Sequence, residues 1–247
     1  PRTGSRAVAI CDGSAEQAEQ QAETLGRRIF ALRHELHRVP PDIDTALDMA
    51  QAAPEGPVVL ADMSDNAGGG APSDATFLLR AMIERGMTGV ATGLFWDPIA
   101  VRICKEAGEG ATLNLRMGGK CGPMSGDPLD LVVTVRKVAS GLTQRFGTLP
   151  APMGDVVWIE TRGIDIVLND LRSQTFHPEA FEQLGIDLGQ RRYVCVKSSN
   201  HYEAGFNPIA AQVIGVATPG SINPDFANIP YKHRAKTYFP VVEDPFA

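Results

Sequence analysis

The residues best equipped for chemistry sit in two short loops, each directly behind an apolar run. The first is Asp65-Asn66-Ala67-Gly68-Gly69-Gly70, after PVVLAD at 57–62. Successive glycines permit positive φ and a close approach of the backbone to a ligand. A helix starting behind such a loop adds free N–H groups and the positive end of its dipole. Asp65 and Asn66 put an acceptor and an amide into the same turn. The second loop is Ser198-Ser199-Asn200-His201, after YVCVK at 193–197. Four polar residues at a strand end suit a polar substrate, and an imidazole can donate a hydrogen bond to an anion or a developing oxyanion. Taken singly, each loop also reads as turn chemistry: local Asx bonding in the first, an N-cap cluster in the second. They gain meaning together, because ligands of open parallel sheets bind beyond the carboxyl ends of the strands. Both loops lie there if their strands share one sheet. Asp97, behind VATGLFW at 90–96, would join them on that edge, although an N-cap role is enough to explain it.

Other candidate motifs fail on spacing. His34-Glu35-Leu36-His37 resembles a zinc-binding HExxH helix, but its histidines are one residue too close. Gly119-Lys120 is followed by Cys121 and lacks the upstream glycine of a phosphate loop. Gly122-Pro123-Met124-Ser125-Gly126 is not a nucleophile elbow. The five histidines are scattered, and the four cysteines form no CxxC pair, so a zinc ribbon is excluded. Cys11, Cys104 and Cys195 stand in apolar stretches and read as small core residues.

The elements that must position the loops follow from periodicity. AVAIC at 7–11 reads as a short strand, followed by a long helix over 15–37 that Ser14 caps. A short helix over 45–52 precedes the strand at 57–62. A helix over 75–85, the strand at 90–96 and a helix ending near Ala107 complete a strand–helix–strand–helix run, which implies parallel strands with right-handed crossovers. Segments 111–119, 130–138, 155–161 and 164–170 alternate apolar and polar residues and predict a partly exposed antiparallel region. A short helix over 178–184 and strands at 193–197 and 211–218 return to the α/β pattern, and the tail from Pro219 reads as a surface wrap. The predicted fold class is α/β, a parallel-strand core with helices plus an antiparallel β region.

Composition excludes several functions. A net charge of −6, with no basic stripe, argues against nucleic acid as a partner. No apolar run approaches the roughly 20 residues of a membrane helix. No signal-peptide core follows Pro1 to Arg6, so the expected compartment is the cytoplasm.

Three stretches carry a family resemblance: PVVLADMSDNAGGGAPSDATFLLRAMIERG, GLFWDP, and the long run from HPEAFEQLGIDLGQRRYVCVKSSNHYEAGFNP to SINPDF. DNxGGG and VKSSNH occur in order, and the chain from Gly56 to Ile229 is similar to the C-terminal domain of the MlrC-like (microcystinase C, M81 metallopeptidase) family. Residues 1–39 resemble the end of that family's upstream metal-binding domain, leaving 40–247 as the C-terminal domain. The resemblance implies a zinc-dependent amide or peptide hydrolase, whose best-known activity is cleavage of linear peptides from microcystin. It implies zinc ligands in the upstream half and none on this chain, which would work with that half as partner. It also implies a substrate cleft here, with His201 as catalytic residue and Asp65, Asn66, Gly68, Gly69, Gly70, Ser199 and Asn200 as substrate-binding residues. The alternative is a non-catalytic module binding a small anion or carboxylate through the glycine loop.

Overall fold

Every residue of the strand Val58–Asp62 is buried, so this strand has covered faces on both sides, as a central parallel strand must. Its side chains alternate between two cores: Val58 and Leu60 enter one, Val59 and Ala61 the other. The computed structural model describes residues 4–246. Pro1 to Thr3, the start of the segment read for a targeting signal, and Ala247, the end of the tail, lie outside the described residues.

The chain divides into two units, residues 40–224 and residues 1–39 with 225–247. In the unit of residues 1–39 with 225–247, α1 (Ala15–Ala31) starts under the Ser14 cap, whose side chain accepts from the Gln17 N–H. The helix predicted over 15–37 breaks at Leu32, and α2 (Arg33–Leu36) follows it. His34 pairs with Glu243 at 2.8 Å, and the His34 and His37 rings pack against Phe239. The strand expected at 7–11 does not form. Val8 is 79% and Ile10 95% exposed, and among the described residues no strand pairs with this segment to satisfy its backbone.

Residues 40–224 carry one eight-stranded mixed sheet. Its strands are β1 (Val58–Asp62), β2 (Val90–Trp96), β3 (Thr112–Met117), β4 (Leu129–Phe146), β5 (Leu149–Thr161), β6 (Ile164–Asn169), β7 (Tyr193–Val196) and β8 (Gln212–Val216). They lie in the order β3-β4-β5-β6-β2-β7-β1-β8. Strands β6, β2, β7, β1 and β8 are parallel, and β3, β4 and β5 extend the sheet antiparallel. Helices α3 (Ile43–Ala52), α4 (Phe77–Glu84) and α5 (Pro98–Ala107) bury Leu47, Leu79, Met82 and Cys104 in one core. The short helices α6 (Glu179–Glu182) and α7 (Glu203–Phe206) bury Phe181 and Phe206 in the other.

The expected α/β class is therefore what forms, with the antiparallel strands continuing the parallel sheet. One grouping differs. Residues 164–170 were expected among the half-exposed antiparallel strands, yet all of β6 is buried. It pairs antiparallel with β5 on one side and parallel with β2 on the other, which makes it the seam of the sheet. Strand β7 enters late in the chain between β1 and β2, so the loops after these three strands meet at one edge.

Candidate functional site

Both polar loops lie at the carboxyl edge of the parallel strands: residues 63–76 follow β1 and residues 197–202 follow β7, which is paired with β1. Asp65, only 1% exposed, sits beneath the first loop. Its Oδ1 accepts from the Ser73 N–H at 2.7 Å, and its Oδ2 from the Ala75 N–H at 2.7 Å and from Lys197 Nζ at 2.8 Å. Asp65 thus closes the loop on itself. Asn66 braces the two loops: its Oδ1 accepts from the Gly68 N–H, and its Nδ2 donates to Ser199 Oγ at 2.9 Å. Ser199 Oγ in turn donates to the Met63 carbonyl.

The glycines are exposed, but their amide protons are committed. The Gly69 N–H donates to the Asn66 carbonyl and the Gly70 N–H to the Ala67 carbonyl, forming a tight turn. Gly70 takes a φ of 97°, which a side chain would strain. At Gly68 a Cβ would collide with Gln174 Oε1, and at Gly69 with Ile222 Cδ1. Glycine is therefore favoured at 70 by its backbone conformation, while at 68 and 69 it leaves room for the ends of two neighbouring side chains. Ahead of α4, the Ala75 N–H serves Asp65 and the Thr76 N–H serves the Ser125 carbonyl.

Asn200 and His201 are exposed at the same edge. His201 Nδ1 lies 3.3 Å from Gln174 Oε1. Gln174 Nε2 donates to Ser198 Oγ, so Oε1 is its acceptor and His201 Nδ1 carries the proton. In the neutral ring Nε2 is then a free acceptor, and only the imidazolium would donate from that side. The ring also packs edge-on to Phe146, with centroids 5.0 Å apart.

Asp97 is a structural residue in this geometry. Its Oδ1 caps α5 through the Ala100 N–H, and its Oδ2 takes the Gly118 N–H and the Lys120 ammonium.

Four residues at this edge escaped the sequence reading. The segment after β6 runs along the glycine loop and brings two of them. Arg172 stacks on Trp96, 4.0 Å from the ring centre, and its Nε donates to the Pro72 carbonyl at 3.0 Å. Its terminal nitrogens have no partner among the described residues. Gln174, two residues on, touches both loops. Gln144 of β4, itself 1% exposed, clamps this segment by donating to the Gln174 carbonyl and accepting from the Phe176 and His177 N–H groups. Lys197 is the fourth, a buried cation whose only visible signal was its place at the end of an apolar strand. Burial works against its charge, but Asp65 and Asp62 outweigh that effect and hold its pKa above the ordinary lysine value.

Among the described residues no group of three or more His, Cys, Asp and Glu side chains could hold a metal ion. The pair Asp62 and Asp65 is occupied by Lys197, so these residues do not fit a catalytic metal. No helix of the described residues is long and apolar enough to cross a membrane.

Comparison with known proteins agrees with the α/β fold. Microcystinase C from Sphingomonas sp is 38% identical over 219 residues, which is 88% of this chain and 43% of that protein. A solved structure from Mesorhizobium sp. BNC1 that carries a metallopeptidase assignment superposes with a TM-score of 0.78 at 26% identity, covering 94% of this chain and 47% of that one. The chain thus spans less than half the length of either relative. The model of the family described as MlrC C-terminus matches residues 60–233, and that stretch holds both loops, Arg172 and Lys197: the chain belongs to this family.

Proposed function

We propose that this chain is the C-terminal part of a zinc-dependent amide or peptide hydrolase of the cytoplasm, that the zinc is held by an upstream half, and that the carboxyl edge described above places the substrate. The observation that carries the reading is Arg172. Its guanidinium is stacked and tied in place, yet its terminal nitrogens are uncommitted beside the glycine loop. Such a group binds a carboxylate through two parallel hydrogen bonds, and little side-chain freedom is left to lose.

In this reading Arg172 holds a substrate carboxylate, and the exposed glycines let the peptide backbone approach closely. Ser199 and Asn200 form the polar rim. His201 Nε2 takes or returns a proton at the substrate, with Gln174 fixing the tautomer. Asp65 and Asn66 act by shaping the loop. The same free guanidinium also favours the second reading, a module that binds a small carboxylate without catalysis.

The test uses the complete polypeptide that contains this chain. Purified and assayed for bound metal and for hydrolysis of short linear peptides, it should hold stoichiometric zinc and lose turnover on chelation. Carboxylate binding with neither zinc nor hydrolysis would select the second reading instead.

A further inference from the structure

Lys197 is buried at the centre of the edge, and the sheet register puts it there. Val196 pairs with Ala61 of β1 and with Gly93 of β2. The next residue of β7 therefore emerges level with Asp62, on the face that carries Leu60 and Phe95. The ammonium has three protons, and three acceptors meet them: Asp62 Oδ2 at 3.2 Å, Asp65 Oδ2 at 2.8 Å and the Ala75 carbonyl at 2.8 Å. The Phe95 ring covers it at 4.3 Å, and the side chain is 4% exposed. Asp62 is held on its other oxygen by Thr218 Oγ1 at 2.6 Å, which ties in the chain after β8.

No donor of Lys197 remains for a substrate. Its reach is indirect. Asp65 spans the loop from its first residue to Ser73 and Ala75, and Lys197 binds both Asp65 and the Ala75 carbonyl. Everything the loop displays lies between those anchors: Asn66, the three glycines, and Pro72 with its bond to Arg172.

Building on the hydrolase reading above, we propose that Lys197 is a positioning residue, whose ammonium fixes the Asp65–Ala75 loop so that the glycines and Arg172 present one geometry to the substrate. Three convergent acceptors around one point suit a compact ammonium. A planar guanidinium keeps the charge but cannot meet all three from the same place.

Two variants of the complete polypeptide separate positioning from folding. Lys197→Arg keeps the charge. Lys197→Met with Asp62→Asn keeps the net charge of the cluster and leaves Asp65 its two backbone partners. Both should retain metal and a cooperative thermal transition while kcat/KM falls by about a hundredfold, the usual scale for a displacement near 1 Å. Native kcat/KM in both would overturn the proposal, and so would a loss that disappears when each variant is assayed far below its Tm. If the native polypeptide hydrolyses nothing, the hydrolase reading fails by itself. Lys197 is then judged by amide hydrogen exchange in the 247-residue chain. Exchange at Gly68 to Ala71 should quicken by at least about tenfold in both variants, with β1 and β7 protected as before. Unchanged exchange there would remove Lys197 from its positioning role.

Discussion

The two loops at the carboxyl edge look alike in sequence, a few polar residues behind an apolar strand, yet they are built in opposite ways. The loop after β1 is fastened from below: Asp65 binds two loop amides and a buried lysine. The loop after β7 ends in exposed residues, with His201 joined to the protein through Gln174 and the Phe146 ring. The carboxylate that drew attention as a chemical group is a fastening, and Arg172 supplies free charged donors at the edge. A polar residue at the carboxyl end of a strand can therefore serve the site by building it or by facing the ligand, and burial decides which.

The largest expected difference between the loops is in stability. Asp65→Ala removes one acceptor from Lys197 and orphans two buried amides, and should cost about 3–5 kcal/mol in urea unfolding. A loss below about 1 kcal/mol would mean that the first loop is no better fastened than the second. The same cluster has a pH signature. Because its folded pKa is raised, Lys197 contributes stability fully below the ordinary lysine value of about 10.4, and that contribution is lost as pH rises through the higher folded value. Thermal unfolding followed above that pH should show native stability declining, with the decline blunted in Asp65→Asn.

A middle effect belongs to Asn66, which braces one loop to the other. Asn66→Ala should cost about 1–2 kcal/mol, and a double-mutant cycle with Ser199→Ala should return a coupling of about 0.5–1 kcal/mol for their bond. Additive losses would show that the two loops are independent. The smallest effect on stability belongs to His201, which is exposed. His201→Ala should shift it by less than about 0.5 kcal/mol. A large loss would make His201 a structural residue.

Much of the fold was legible. β2 and α5 match their expected limits closely, because apolar run length, the Asp97 cap and Pro98 all point the same way. The helix over 15–37 was overextended because its periodicity runs through Leu32, where the backbone breaks. The strand at 7–11 was misread because an apolar run carries no information about whether a pairing strand exists. The short helix expected over 178–184 shrank to Glu179–Glu182. At the edge, the glycine loop and the SSNH loop were found because glycine runs and polar clusters are local signals. Arg172, Gln174 and Gln144 were not, since their roles arise from β6 lying beside β2 and from the long β4–β5 hairpin reaching the edge, both long-range facts. Lys197 was within reach: a charge ending a buried strand requires a partner, and one aspartate ends the neighbouring strand while another follows it.

Arg172→Ala offers the most direct test of the claim that this edge holds the substrate. Its side chain lies on the surface and binds no charged group of the protein, so the variant should fold and keep its metal. In the complete polypeptide kcat/KM for a peptide with a free carboxylate should fall by about a hundredfold, the scale of losing a charge-assisted bidentate contact, about 3 kcal/mol. An unchanged kcat/KM, with peptide carboxylate present and metal bound, would place the substrate somewhere other than the carboxyl edge of this sheet.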